Sequence, residues 1–142
     1  MEEHLSNLFR QVNVAHRIVV QAYLDQYGLY IGQPRFLFAL ARHPGLSQGE
    51  LSTELSVSKE TVSITMKRLE QAGYVKRVTS PTDKRRKLLS LSDKGEALMP
   101  SLREHFHSIN EQMFSQLDQT EKKMLESLYL KMIQGIERGF VE

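Results

Sequence analysis

Two stretches of this 142-residue chain carry side chains with a recognisable chemistry, and it is the chemistry of holding a polyanion. The first runs from Ser58 through Lys59, Thr61, Ser63, Ile64, Lys67 and Arg68; the second is the compact Asp83-Lys84-Arg85-Arg86-Lys87. Between Lys59 and Lys87 nine Lys/Arg stand against three Asp/Glu, a local charge of +6. The remainder, with ten bases and fourteen acids, is −4, so the net +2 conceals a split. One aspartate cannot neutralise four neighbouring bases, so most of them must point outward. An arginine on a thin loop suits a narrow minor groove, where the negative potential of DNA is strongest.

Other chemistries find little support. There is no Cys, which excludes a disulfide framework, a thiolate metal site, a catalytic thiol and a thiol redox switch in this chain. No Gly-x-Ser-x-Gly elbow and no P-loop appears, so the expectation is that the protein is not an enzyme. His105 and His107 would point about 200° apart on a helix, and His4, His16 and His43 are scattered, so no cofactor and no metal site is expected, a site bridging two chains of a dimer being the one alternative. No apolar run approaches the roughly 18 residues that span a bilayer. The acidic, amphipathic start is unlike a signal peptide. A folded cytoplasmic domain without a membrane partner is the expectation.

The elements that position these residues follow from periodicity and punctuation. Leu5, Leu8, Phe9, Val12, Ala15, Val19 and Ala22 recur at helical steps from Glu2 to about Gln26. Gly28 and Gly32 interrupt, and Pro34 opens a helix that ends at His43-Pro44-Gly45. Ser47-Gln48-Gly49-Glu50 has the form of a capping box and opens a short helix through Leu55. Ser58 caps a fourth helix to about Ala72, terminated by Gly73. Two strands, 74–79 and 87–91, then flank the basic loop. Ser92 caps a long helix carrying Leu98, Leu102, Phe106, Ile109, Met113 and Leu117, and Thr120 is expected to cap the last one.

Two short helices across a tight turn, followed by a hairpin, describe a winged helix-turn-helix. Val62, Met66 and Leu69 of its second helix share one stripe and must face the core. The opposite side displays Glu60, Ser63, Ile64, Lys67 and Arg68, with Lys59 and Thr61 near the N-terminal end. Hydroxyls and ammonium groups there suit phosphates and base edges, and Ile64 suits a thymine methyl. The fold class is therefore mainly α with a small β-hairpin wing.

The stretch from Gln33 to Gly95 resembles the MarR family of winged-helix transcription regulators. The resemblance is carried by His43-Pro44-Gly45-Leu46-Ser47-Gln48-Gly49-Glu50-Leu51, by Leu69-Glu70-Gln71-Ala72-Gly73-Tyr74-Val75, and by Asp83-x-Arg85 followed by Leu91-Ser92-x-x-Gly95. It implies a homodimer that binds a pseudo-palindromic double-stranded operator, usually as a repressor. It implies that Arg85 enters the minor groove and that Asp83 holds the wing through a salt bridge; the basic tip itself makes Lys84 and Arg86 further DNA-facing candidates. Ile64 departs from the basic or polar reader frequent in relatives, and Ser92 stands where Thr is more usual. Family members often respond to phenolic or anionic aromatic ligands, and His16, Arg17, Tyr23, Tyr30 and Arg35 are the candidates to line such an effector site.

The implied organisation is a winged lobe over 33–95, with 1–30 and 96–142 as dimerisation helices. Independently of the resemblance, Leu5, Leu8, Phe9 and Val12 together with Leu128, Tyr129, Met132, Ile133, Ile136 and Phe140 exceed what one small winged lobe can cover, which also argues for a homodimer. The alternative is a winged-helix module that binds protein without operator specificity.

Overall fold

The computed structural model describes residues 1–140; the final two residues of the expected dimerisation segment lie outside the described residues. The order is α1 (Glu2–Asp25), α2 (Pro34–Arg42), α3 (Gln48–Leu55), α4 (Lys59–Gln71), β1 (Val75–Thr79), β2 (Lys87–Leu91), α5 (Asp93–Met113) and α6 (Gln119–Phe140). Among the described residues, six helices and one antiparallel hairpin make the mainly α, winged helix-turn-helix architecture read from the sequence. Residues 1–106 form one compact unit and the chain from His107 onward a second.

In the first unit the helix caps fall where side-chain chemistry demands. Ser47 Oγ accepts the Glu50 N–H and Ser58 Oγ accepts the Thr61 N–H, each at 3.1 Å, so both helices of the helix-turn-helix begin at a serine. Between them Ser56 adopts a left-handed conformation, and Gly73 (φ +87°) stops α4 in the same way. The apolar stripes close over one core: Leu24 of α1, Leu37 and Leu40 of α2, Leu51 of α3, Met66 and Leu69 of α4, Leu89 of β2 and Leu102 of α5 are all fully buried. The C-terminal part of α1 is held by Val20, Tyr23 and Leu24, which places this helix with the winged lobe in one unit.

The hairpin pairs Val75 with Leu91, Arg77 with Leu89 and Thr79 with Lys87. Leu46 adds a short third rung beside Leu89, through Gly45 N–H to the Leu89 carbonyl (3.0 Å) and Leu89 N–H to the Leu46 carbonyl (2.7 Å). The wing is thereby tied to the segment that leads into α3.

In the second unit, α6 has no buried residue. Its cap differs from expectation. Asp118, not Thr120, starts the helix: Asp118 Oδ1 accepts the Glu121 N–H at 2.8 Å, and Glu121 Oε1 accepts the Asp118 N–H at 3.0 Å. That reciprocal pair satisfies two donors, which a Thr120 hydroxyl alone would not do. The preceding helix also stops at Met113, short of Leu117.

Candidate nucleic-acid interface

The reading helix is amphipathic in the sense the spacing required. Val62, Met66 and Leu69 are completely buried, and Ile64 on the other side is 53 % exposed. Lys59, Thr61, Ser63, Lys67 and Arg68 are exposed around it. The core stripe fixes the roll of α4, and the roll presents the polar stripe outward. Ser58 and Thr61 contribute less freely than their types suggested. Ser58 Oγ donates to Thr61 Oγ1 (2.9 Å) while capping the helix, which leaves the Thr61 hydroxyl hydrogen as the available donor.

The wing tip is a hydrogen-bonded turn. Ser80, buried at its base, accepts the N–H groups of Thr82 and Asp83, and its own N–H meets the Arg86 carbonyl at 2.9 Å. Asp83 Oδ1 accepts the Arg85 N–H at 3.0 Å. This corrects the expected role of Asp83: its carboxylate organises backbone and forms no salt bridge among the described residues. The ion pair that steadies the wing is instead Arg86 with Glu50 of α3. Arg86, expected to face DNA, points its guanidinium back toward α3. Lys84 and Arg85 remain exposed and without an acidic partner among the described residues.

Of the nine bases between Lys59 and Lys87, only Arg77 (with Glu70) and Arg86 (with Glu50) meet a carboxylate among the described residues. The local positive charge is therefore mostly uncompensated, on both the reading helix and the wing.

Sequence spacing missed three supports of this surface. Glu50 reads as a capping residue and is one, but it also reaches the wing. Ser92 caps α5 as expected, its Oγ accepting the Gly95 N–H at 3.1 Å, but the same hydroxyl also donates to the Gly73 carbonyl at 2.5 Å, which locks the start of α5 against the end of α4. Tyr74 sends its hydroxyl to the Tyr27 carbonyl at 2.6 Å. All three join residues far apart in the chain, and periodicity carries no signal for such pairs.

The candidate effector residues are not gathered into one site. Tyr23 is buried with its ring stacked on His105 (3.5 Å between centroids), and Arg35 donates to the Leu55 carbonyl at the end of α3. Both are occupied in holding the fold. Tyr30 is exposed beside a separate cavity, and His16 and Arg17 lie on α1. Among the described residues no group of three His, Asp or Glu could hold a metal ion. No helix there is long and apolar enough to cross a membrane.

Comparison with known proteins agrees with this geometry. The MarR family model matches residues 27–86, from the end of α1 through the wing tip. The HTH-type transcriptional regulator MgrA of Staphylococcus aureus is 32 % identical over 133 residues, covering 94 % of this chain and 87 % of that protein. The chain belongs to the MarR family. Among solved structures, the PcaV transcriptional regulator of Streptomyces coelicolor shares the MarR fold with this chain at a TM-score of 0.84 and 25 % identity, over 94 % of this chain and 98 % of that one. MepR of Staphylococcus aureus, solved as a complex with DNA, aligns at a TM-score of 0.79 and 26 % identity, over 92 % and 96 % of the two chains. In this MarR-family chain the matched region holds both helices of the helix-turn-helix and the tip arginines.

Proposed function

We propose that this MarR-family protein is a cytoplasmic, sequence-specific double-stranded DNA-binding regulator, acting as a homodimeric repressor on a pseudo-palindromic operator, and not an enzyme. The observation that carries the reading is the outer face of α4. A half-exposed Ile64 sits among Ser63, Lys67 and Arg68 on a helix whose inner face is wholly buried. An exposed aliphatic amid hydroxyls and cations costs solvation on a bare surface, and gains contact against a thymine methyl in a major groove. Lys59, Thr61, Ser63, Ile64, Lys67 and Arg68 would then face the major groove, with the phosphate-favouring N-terminus of α4 at Ser58. Arg85 would enter the adjacent minor groove, with Lys84 on the backbone and Arg86 anchoring the wing.

The dimer reading is supported by apolar surface left uncovered. Leu5, Leu8, Phe9 and Val12 of α1, and Leu128, Tyr129, Met132, Ile133 and Ile136 of α6, are exposed in the single chain. Monomers rarely leave that much large apolar surface in water. A two-fold dimer would set half-sites about 34–36 Å apart. An aromatic anion that releases the operator would be held by His16 and Arg17, the expected effector residues whose side chains make no hydrogen bond among the described residues.

The test is fluorescence anisotropy of the purified protein with DNA from its own promoter region, at two salt concentrations, with Arg85→Ala alongside. Tight, salt-sensitive binding to one duplex that weakens in Arg85→Ala is the expected result. Equal affinity for promoter and random DNA, indifferent to Arg85→Ala, would overturn the reading in favour of a protein-binding module.

A further inference from the structure

The loop between α1 and α2 and the C-terminal end of α4 enclose a cavity of about 400 Å³ lined by Gly28, Tyr30, Gln33, Arg68, Gln71 and Ala72. We propose that this cavity binds a phosphate group, and that the DNA backbone supplies it just beyond the groove read by α4. Only the source of the phosphate rests on the DNA-binding reading; the anion site stands on its own observations.

The first observation is Gln33. It is only 7 % exposed and its backbone is pinned, its N–H donating to the Tyr30 carbonyl at 2.9 Å. Its side-chain Oε1 accepts the Tyr30 N–H, also at 2.9 Å, so the amide is fixed at one end. Its Nε2 makes no hydrogen bond among the described residues. No fully buried side-chain polar atom there lacks a partner, so Nε2 keeps some access to solvent, and Gln33 is one of the residues that line this cavity. A rigid, nearly buried donor left unpaired is costly unless something accepts from it.

The second observation is the company it keeps. Arg68, Gln71 and Tyr30 also line the cavity, residues that carry a guanidinium, an amide and a phenol as further donors, and no lining residue carries a carboxylate. Of the carbonyls at the end of α4, those of Arg68, Leu69, Glu70 and Ala72 are engaged, by the Ala72, Tyr74 and Gly73 N–H groups and the Lys94 ammonium, which reduces the negative potential an anion would meet there. Convergent neutral donors around one guanidinium are suited to a tetrahedral oxyanion, whose oxygens accept several hydrogen bonds at once.

The third is position. At about 100° per residue, Gln71 lies roughly 20° from Ile64 around α4, and Arg68 roughly 40° on the other side. The cavity therefore continues the exposed stripe assigned to the groove. Phosphate contacts of this kind fix register and orientation without reading sequence.

The test uses the full chain in two arms. One follows the Gln33 side-chain amide by nitrogen-15 NMR during titration with inorganic phosphate at constant ionic strength. The other measures anisotropy with the promoter duplex and a scrambled duplex for Gln33→Glu, Tyr30→Phe and Gln71→Ala. Gln33→Glu keeps the oxygen that caps Tyr30 and replaces the donor by a carboxylate; Tyr30→Phe and Gln71→Ala leave the turn intact should Gln33→Glu fold poorly. Phosphate is expected to shift the Gln33 amide of the wild type, and Gln33→Glu to lose about tenfold in affinity on both duplexes alike. Shifts with inorganic phosphate but unchanged DNA affinity in all three variants would overturn the backbone as source and leave a site for a free phosphorylated ligand. Wild-type protein that binds neither duplex would remove the DNA reading, and the phosphate titration alone would then decide the cavity. An unmoved Gln33 amide with wild-type DNA affinity in every variant would overturn the proposal.

Discussion

The carboxylate of Asp83 accepts the backbone N–H of Arg85, two residues on, at 3.0 Å. This is an Asx turn at the tip of the wing, and it sets the direction in which the Arg85 side chain leaves the hairpin. Ser80 closes the same turn from below through the N–H groups of Thr82 and Asp83. The tip is thus shaped by backbone hydrogen bonds, while the charges of Lys84 and Arg85 are left free for a partner.

That arrangement separates two roles for Asp83 that a salt bridge would merge. An Asn keeps the accepting oxygen and removes the charge; an Ala removes both. Asp83→Asn is therefore expected to bind operator DNA as tightly as the wild type or somewhat more tightly, since a negative charge leaves the wing. Asp83→Ala should bind several-fold more weakly, from the loss of a hydrogen bond of about 1 kcal/mol that orders the tip. Anisotropy titration of both variants checks this, and equal losses in the two would restore the salt-bridge role.

Adjacent arginines should behave differently. Arg85 has no acidic partner among the described residues, whereas Arg86 is paired with Glu50. Arg85→Ala is expected to reduce both affinity and the salt dependence of binding, by a slope of about 1. Arg86→Ala should cost less, through a looser wing. A double-mutant cycle gives the sharper readout: Arg86→Ala and Glu50→Ala should be non-additive in DNA affinity, and Arg85→Ala with Glu50→Ala additive. Both residues of the pair are about half exposed, so the coupling should be small, at most about 1 kcal/mol.

Which parts were legible from sequence follows from the range of the interaction. Val62, Met66 and Leu69 announce the buried face of α4 by spacing alone, and with it the outward face at Ile64, because a helix transmits roll rigidly along its length. Ser47, Ser58 and Gly73 announce their caps because the bonded groups lie within three residues. Thr120 misled because Asp118, two residues earlier, forms the better reciprocal cap with Glu121. The fate of each wing base was illegible, since Arg86 finds Glu50 across thirty-six positions of chain. The same holds for Tyr23 and Arg35, whose types suit a ligand but whose neighbours, His105 and the Leu55 carbonyl, are set by packing.

Tyr23 gives the chain a predictable alkaline weakness. Its phenol is pushed up to about 12, first by burial, then by its hydrogen bond with Tyr27 and the charges of Tyr27 and Glu104. A phenol that titrates near 10 when unfolded and near 12 when folded binds more protons in the native state between those values. Its contribution to stability is therefore complete below about pH 10 and is lost as pH rises toward 12. Burial pushes the Tyr74 phenol up as well, so absorbance titration of tyrosinate should show more than one late phenol, and Tyr23→Phe should remove the step near 12 while keeping the ring stacked on His105. A wild type whose tyrosines all ionise near 10 without unfolding would contradict the assignment.

Gly95 tests the junction on which the wing depends. A Cβ there would collide with the carbonyl oxygen of Tyr74, which already accepts the Ser92 N–H at 3.0 Å. Backbone offers no flexible end that could swing aside, so the first turn of α5 would have to move away from Gly73 and Tyr74 and strain the Ser92 bonds. Gly95→Ala is expected to destabilise by about 1–3 kcal/mol, even though alanine is the better helix former. Gly49 supplies the control. It lies in the first turn of α3, and an added Cβ would meet only Ser47 Oγ at 3.9 Å, an ordinary contact. Gly49→Ala should therefore be neutral or stabilising by up to about 1 kcal/mol. Thermal unfolding followed by circular dichroism compares the two. A Gly95→Ala protein at least as stable as Gly49→Ala would mean that the close approach of α5 to Tyr74 does not hold the wing in place.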